Sequence, residues 1–214
     1  MTKIRSKQQL IEAAAKVFTE KGYEAARIED IGAELGVLQG SLYYHIGSKA
    51  GLLRLVLRHR FNDITERIEG ISQSSDQPPV KLRQAIEAQL HYVDPHLPEF
   101  PQWFSSPAAT KETKEEVEHD RQLIARFRGS WQNILTEGIE SGDVRDTVDP
   151  SIAVLSILGM CNTVARWHDW ADERSPDEIA DLQFDMIWAG IAAAGRQGRS
   201  RKLSNRSRIK RSSE

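Results

Sequence analysis

Apolar residues recur every three or four positions along most of the chain, which is the spacing that places them on one face of an α-helix. In the first segment this face consists of Leu10, Ile11, Ala14, Val17 and Phe18. Gly22 follows at the position where a helix commonly ends in a left-handed cap. The pattern therefore predicts a first helix that stops just before Gly22.

Three further helices are predicted at short intervals. The second has the apolar face Ile28, Ile31 and Leu35. It ends at Gly36, and the third helix begins near Gln39. Ser48 is typical of a helix N-cap, so the fourth helix runs from there past Ile68 to a polar linker at 72–79. Two short helices joined by a tight glycine-containing turn form the helix-turn-helix pattern, whose second helix enters the DNA major groove.

The remaining apolar segments also have helical spacing, and their lengths suit a bundle. They span residues 80–92, 110–141, 151–167 and 176–194. The last segment has the clearest start, because Ser175 stands at the N-cap, Pro176 at the first helical position and Glu178 three residues after the cap. The chain is therefore predicted to be all-α, with an N-terminal three-helix helix-turn-helix domain followed by a C-terminal helical bundle.

Composition limits the class of protein. Hydrophobic residues make up 39% of the 214 positions, as in ordinary globular proteins. The longest apolar stretch, 150–165, is shorter than the roughly 20 residues that a bilayer requires. The single cysteine, Cys161, excludes an internal disulfide and a zinc-finger spacing. With no signal peptide in view, we expect a cytoplasmic protein without a membrane segment.

Charge is divided unevenly along the chain. Residues 1–60 contain ten Lys/Arg and six Asp/Glu, residues 61–195 contain eleven and 24, and residues 196–214 contain eight and one. Basic segments attract phosphate and an acidic segment repels it. We predict a DNA-binding domain at 1–60 with its helix-turn-helix at about 27–46, an effector-binding and dimerisation domain at 61–195, and a basic disordered tail at 196–214. The tail either adds nonspecific DNA affinity or only solubilises the chain.

The residues after the predicted turn carry groups suited to DNA contact. Gly40 allows a close backbone approach and Ser41 offers a hydroxyl. Polar tips that can reach phosphate or base edges belong to Tyr43, Tyr44 and His45. The first of these tyrosines suits a core position equally well. Lys49 stands in the first turn of the fourth helix, where free backbone N–H groups and the helix dipole already favour a phosphate.

A longer match joins the turn to the start of the fourth helix. Residues 36–49 have the sequence GVLQGSLYYHIGSK. Together with Phe18, Gly22 and the pair Leu52 and Leu53, this string resembles the signature of the TetR family of transcription regulators. The resemblance covers about the first sixty residues.

The resemblance implies a set of DNA contacts. It places Tyr44, His45 and Lys49 on the sugar-phosphate backbone. It places Gln39 and Ser41 nearer the bases. The chain departs from the family pattern at Arg27, Leu38 and Ile46, where Arg27 can contact a phosphate and Leu38 can meet a thymine methyl or pack against the turn. The predicted DNA-binding residues are Arg27, Leu38, Gln39, Gly40, Ser41, Tyr43, Tyr44, His45 and Lys49.

Aromatic and polar residues of the acidic segment predict an effector pocket. They are Trp103, Phe104, Trp131, Asn162, Arg166 and Trp167. Arginine beside tryptophan at the end of an apolar helix suits an anion attached to an apolar body. The stretch 162–167 also resembles TetR-type regulators of fatty acid or sterol breakdown, which sense acyl-CoA thioesters. In the alternative, Arg166 pairs with Asp169 or Asp172, and neutral or cationic drugs are the rival ligand class.

A homodimer is expected, because one recognition helix covers too few base pairs for specific control. Such a dimer would read an inverted-repeat operator. The family resemblance implies that the last two helices of each protomer build the interface. The predicted interface residues are Ile152, Leu155, Ile157, Leu158, Ile187, Trp188 and Ile191. The alternative is that half of them belong only to the core of one protomer.

Other site chemistry is not predicted. Two groups offer metal-ligand side chains, namely His91, Asp94 and His96, and His168, Asp169 and Asp172. Neither has a spacing that fixes a coordination geometry, so no metal and no cofactor are expected. No acid, base or nucleophile recurs at a spacing typical of an enzyme.

We therefore predict a ligand-responsive DNA-binding transcription regulator. It acts as a repressor that an amphipathic effector, such as an acyl-CoA thioester, releases from its operator. The rival class is an architectural DNA-binding protein that takes no effector.

Overall fold

The structure is a computed structural model that describes residues 7–37, 48–94, 96–97, 113–167 and 174–195. Its helices within these ranges are α1 Lys7–Lys21, α2 Ile28–Leu35, α3 Lys49–Gln73, α4 Pro78–Tyr92, α5 Lys114–Glu140, α6 Pro150–Thr163 and α7 Pro176–Ile191. A short 3₁₀ helix, Val164–Arg166, follows α6. The predicted all-α class is confirmed, and the predicted third helix near Gln39 lies outside the described residues.

Local signals set several helix ends where the sequence predicts them, whereas α6 ends at Thr163 and α7 at Ile191, short of the predicted 167 and 194. Gly22 and Gly36 have φ angles of 73° and 65°, in the left-handed region that glycine adopts without strain. The Ser48 hydroxyl accepts a hydrogen bond from the backbone N–H of Gly51 at 3.0 Å, which confirms Ser48 as the cap of α3. Ser175 forms the predicted capping box at the start of α7.

The chain divides into two compact units. The first comprises Met1–Asp63 and Asp94–Leu123, and the second comprises Ile64–Val93 and Ile124–Glu214. Helices α3 and α5 each contribute residues to both units. The predicted boundary between functional domains, at residues 60 and 61, stays a prediction.

In the first unit the apolar face of α1 is buried, and α1 packs against α2. Phe18 is fully buried, with its ring 5.6 Å from that of Tyr23 in an edge-to-face arrangement. The N-terminal part of α3 adds the buried residues Leu52, Leu53, Val56, Leu57 and Phe61. This packing holds the first turn of α3 beside the α1–α2 loop.

In the second unit α4 packs against both α6 and α7. The rings of Phe184 and Trp188 stack within this core at a centroid distance of 5.8 Å. A single antiparallel bridge joins Val144 to Ala192, so the segment after α5 meets the end of α7. The end of α7 is thereby fixed to the segment that follows α5.

Candidate DNA-binding and effector-binding sites

Lys49 lies in the first turn of α3, as predicted, and is held by two contacts. Its Nζ donates to the carbonyl oxygen of Glu24 at 3.2 Å and sits 4.5 Å from the ring centroid of Tyr23. Burial raises the pKa of the Tyr23 hydroxyl, and neighbouring Glu24 raises it further. An ammonium group has three donors, so Lys49 can keep its carbonyl contact and still bind a phosphate.

Arg27 is the N-cap residue of α2, and its side chain is exposed. Its backbone N–H donates to the Asp30 carboxylate at 2.9 Å. The same carboxylate accepts a hydrogen bond from Lys21 at 2.7 Å, and these contacts lower the pKa of Asp30. The start of α2 is therefore secured without the Arg27 guanidinium, which leaves that group available to DNA.

The other predicted DNA-binding residues lie outside the described residues. They are Leu38, Gln39, Gly40, Ser41, Tyr43, Tyr44 and His45. Their roles stay predictions.

A polar layer crosses the core of the second unit where α4, α6 and α7 meet. Gln89 of α4 donates to the side-chain oxygen of Asn162 at 2.8 Å. The Cys161 thiol donates to the side-chain oxygen of Gln183 at 3.4 Å, and Gln183 donates to the Met160 carbonyl at 3.3 Å. Asn162 is predicted from the sequence, whereas the two glutamines are not, because nothing local marks a glutamine as buried.

The predicted effector residues fall in different environments. Trp131 is fully buried beside Phe127, and its indole N–H has no hydrogen-bond partner within the described part of the chain. Asn162 is half-buried, whereas Arg166 and Trp167 are exposed. The remaining two, Trp103 and Phe104, lie outside the described ranges, as do Asp169 and Asp172, the alternative partners of Arg166.

The predicted interface residues separate into two groups. Ile152 and Leu155 of α6 are exposed, whereas Ile187 and Trp188 of α7 are buried inside the second unit and Ile191 is half-buried. The large exposed apolar residues of α7 are Leu182 and Met186, neither of which is among the predicted interface residues. None of the described helices is long and apolar enough to span a membrane.

Two family models match the chain. Residues 10–56 match the model described as bacterial regulatory proteins, tetR family. Residues 75–191 match the model described as tetracyclin repressor-like, C-terminal domain.

Individual proteins are similar over nearly the whole chain. The HTH-type transcriptional repressor KstR2 of Rhodococcus jostii is 24% identical over 194 residues, which cover 86% of this chain and 90% of that protein. The structure of the ketosteroid transcriptional regulator KstR2 of Mycobacterium tuberculosis has a TM-score of 0.68 at 22% identity, over 89% of this chain and 97% of that one. The transcriptional regulator FadR from Bacillus subtilis, solved in complex with stearoyl-CoA, has a TM-score of 0.64 at 20% identity, over 87% and 100%.

At these identities the two solved structures show a shared fold. The family models also establish the family, because one matches the predicted helix-turn-helix region and the other spans more than half of the chain. The chain therefore belongs to the tetR family of bacterial regulatory proteins and is a DNA-binding transcription regulator, not an enzyme.

Proposed function

We propose that this chain is a repressor that binds an inverted-repeat operator as a homodimer and leaves it when an amphipathic acid, or its coenzyme A thioester, binds the second unit. The proposed effector class rests on two side chains near the C-terminal end of α6. Asn162 accepts a hydrogen bond from Gln89, and Arg166, four residues later, has an exposed guanidinium. This places a polar core group and a cation at the same end of an apolar helix.

Charge supports an anionic ligand at Arg166. Residues 61–195 contain eleven basic and 24 acidic side chains, so an anion needs a local cation to offset the surrounding field. Among the described residues, none forms a hydrogen bond or ion pair with Arg166. A carboxylate or phosphate would find a bidentate donor there.

The similar proteins support the same class of effector. One is a ketosteroid regulator and another was solved with stearoyl-CoA bound. Fatty acyl and steroid-derived CoA thioesters both join an anionic group to an apolar body. A ligand of this kind releases DNA only if its affinity differs between the DNA-bound and free conformations.

The effector can be tested by DNA release. The full-length protein is first bound to a fluorescent duplex that has been selected from a random library. The anisotropy of the duplex is then measured while stearoyl-CoA, a steroid-derived CoA thioester, free CoA or a cationic drug is added. We expect a thioester to release the DNA and free CoA to do so poorly. Arg166→Ala should weaken the response at least tenfold, whereas the exposed control Arg174→Ala should not. Release by the cationic drug alone would instead identify a multidrug-type sensor, and release by none of the ligands would reject the anion site.

The DNA-binding face can be tested by salt dependence. Lys49→Ala should weaken binding to specific and random duplexes alike and lower the slope of log K against log salt by about one, because one phosphate contact is lost. Lys16→Ala is the matched control, since Lys16 already pairs with Glu34 at 2.8 Å. Gln39→Ala should instead change which sequence is preferred. Unchanged binding by both Lys49→Ala and Gln39→Ala would refute this assignment.

The dimer is proposed to form through the exposed faces of α6 and α7. The side chains of Ile152 and Met186 are 62% and 68% exposed, although both are apolar. Around them lie the further exposed residues Leu155, Ser156, Gly159, Leu182, Ala189 and Gly190. Small residues on exposed helix faces permit close helix approach, and large apolar residues supply area to bury on association.

Sedimentation velocity at micromolar concentration tests this interface. The parent should sediment as a dimer, and Ile152→Asp or Met186→Asp should sediment as a folded monomer. Ala125→Asp, on the exposed side of α5, is the control and should remain dimeric. A monomeric parent, or dimeric Ile152→Asp and Met186→Asp variants, would show that these faces do not pair.

A further inference from the structure

Three metal-ligating side chains meet in the second unit, apart from the proposed effector and dimer residues. Glu87 and His91 lie one turn apart on α4, and Asp177 lies in the first turn of α7. Their ligand atoms are all within 4.8 Å of one another. His91 Nε2 is 2.7 Å from Asp177 Oδ1, at hydrogen-bonding distance. We propose that Glu87, His91 and Asp177 form a binding site for a divalent transition-metal ion, with Zn²⁺ as the best-fitting representative.

The donor set selects the class of metal. One imidazole nitrogen and two carboxylate oxygens suit zinc and its neighbours in the first transition row, whereas magnesium and calcium prefer oxygen ligands alone. Zinc lies about 2.0–2.2 Å from such atoms, which puts tetrahedral donors roughly 3.4 Å apart. To reach that spacing, His91 Nε2 and Asp177 Oδ1 have to separate from 2.7 Å, and any pair that lies up to 4.8 Å apart has to approach. The metal then takes the place of the hydrogen bond between His91 Nε2 and Asp177, the imidazole proton is carried on Nδ1, and the exposed side of the site stays open to water.

Charge around the three ligands favours a cation. Arg83 stands one turn before Glu87, and its nearest guanidinium nitrogen lies 3.7 Å from the Glu87 carboxylate. The Arg83 Nε donates to Asp181 at 2.8 Å, so this arginine is largely committed to a different carboxylate. Counting Arg83 and Asp181 with the three ligands leaves two negative charges in excess when His91 is neutral.

The dipoles of α4 and α7 have opposite effects on cation binding at this site. His91 lies in the last turn of α4, where the helix dipole favours a cation, whereas Asp177 lies in the first turn of α7, where it does not. We therefore expect micromolar rather than nanomolar affinity. A bound ion would fasten the end of α4 to the start of α7 and stabilise the second unit by mass action.

Calorimetric titration of ZnCl₂ into the full-length protein, after removal of metals with a chelator and desalting, tests the site. We expect one saturable site per chain, with MgCl₂ giving none, and a melting temperature that rises with zinc. His91→Ala and Glu87→Gln should each weaken zinc binding at least tenfold. His59→Ala is the matched control, because His59 also sits four residues from an acidic partner, Asp63, at 3.6 Å.

The variants also separate a site from nonspecific binding. Thermal melts without zinc establish that His91→Ala and Glu87→Gln are folded, and this leaves loss of binding as the readout. Absence of a saturable heat in the parent would overturn the proposal. So would equal zinc binding by the parent and by His91→Ala, or a loss of binding in His59→Ala as large as that in His91→Ala.

Discussion

The carboxylate of Asp120, in α5, is fully buried and is held by Arg58 of α3, whose Nε donates to Oδ1 at 2.6 Å. A second arginine, Arg54, donates to the other carboxylate oxygen. Burial lowers the pKa of Arg54, and the attraction of Asp120 counteracts that effect. One carboxylate thus binds two guanidinium groups inside the first unit and joins the helix that begins at Lys49 to α5.

Asp120→Asn should destabilise the protein by about 3 kcal/mol, because it leaves the buried Arg54 charge without its counter-ion. The unfolding free energy from urea denaturation measures the effect. Glu118→Gln, an exposed change of the same kind on the same helix, should cost no more than about 0.5 kcal/mol. If the two variants were equally stable, the buried ion cluster would contribute nothing beyond surface electrostatics.

Two glycines of α5 should respond to alanine in opposite directions. A Cβ at Gly138 would lie 2.7 Å from Cγ2 of Val144, so Gly138→Ala should cost about 1–3 kcal/mol through overpacking. A Cβ at Gly129 would meet nothing within 4 Å, so Gly129→Ala should stabilise the helix by about 0.5–1 kcal/mol. Chemical denaturation of both variants checks the signs. Two changes of the same sign would contradict the packing described here.

The Gln89 and Asn162 pair should show coupling in a double-mutant cycle. Asn162→Leu removes the acceptor of the buried Gln89 amide and should cost about 1–3 kcal/mol. Adding Gln89→Leu removes the stranded donor, so the double variant should be more stable than the sum of the single changes predicts. Urea denaturation of the four proteins gives the coupling energy. Simple additivity would mean that the two amides do not interact.

Cys161 should report unfolding by its reactivity. Burial raises the pKa of its thiol to about 12, so the native protein holds almost no thiolate at neutral pH. A thiol reagent should react slowly with the native protein and rapidly in denaturant, and the single cysteine makes the signal unambiguous. Fast labelling of the native protein would show that α6 opens locally.

The same shift sets a pH dependence for stability. The thiol of the unfolded chain ionises near its ordinary pKa of 9.0, whereas the buried native thiol stays neutral. The stability that this neutral thiol contributes is therefore complete below about pH 9 and falls as pH rises towards 12. Cys161→Ser provides the reference, since its hydroxyl does not titrate in that range. A parent and variant with parallel stability profiles between pH 8 and 10 would contradict the buried thiol.

Local sequence is enough to predict the helices that the structure describes and several of their ends, but it places the ends of α6 and α7 too far along the chain. Apolar periodicity and caps such as Ser48 and Ser175 depend on residues within one or two turns, so they can be read locally. The helix-turn-helix string is equally local, and it was sufficient to indicate the family.

The tertiary structure alone decided which distant side chains meet. Asp120 is 62 residues from Arg58, and His91 is 86 residues from Asp177, so no local spacing relates them. His91, Asp94 and His96 are neighbours in the sequence, but the Asp94 carboxylate accepts a hydrogen bond from the Thr19 hydroxyl at 2.9 Å. Sequence proximity was therefore a poor guide to the ligand set.

The orientation of α7 was also decided by packing. Apolar residues occur on both of its sides, so periodicity could not tell which of them face the protein core. The structure buries Ile187 and Trp188 against the rest of the second unit and exposes Leu182 and Met186. Periodicity identifies the buried face of a helix only when the opposite face is polar. In α7 both faces are apolar, so the helices that pack against it determine which face is buried.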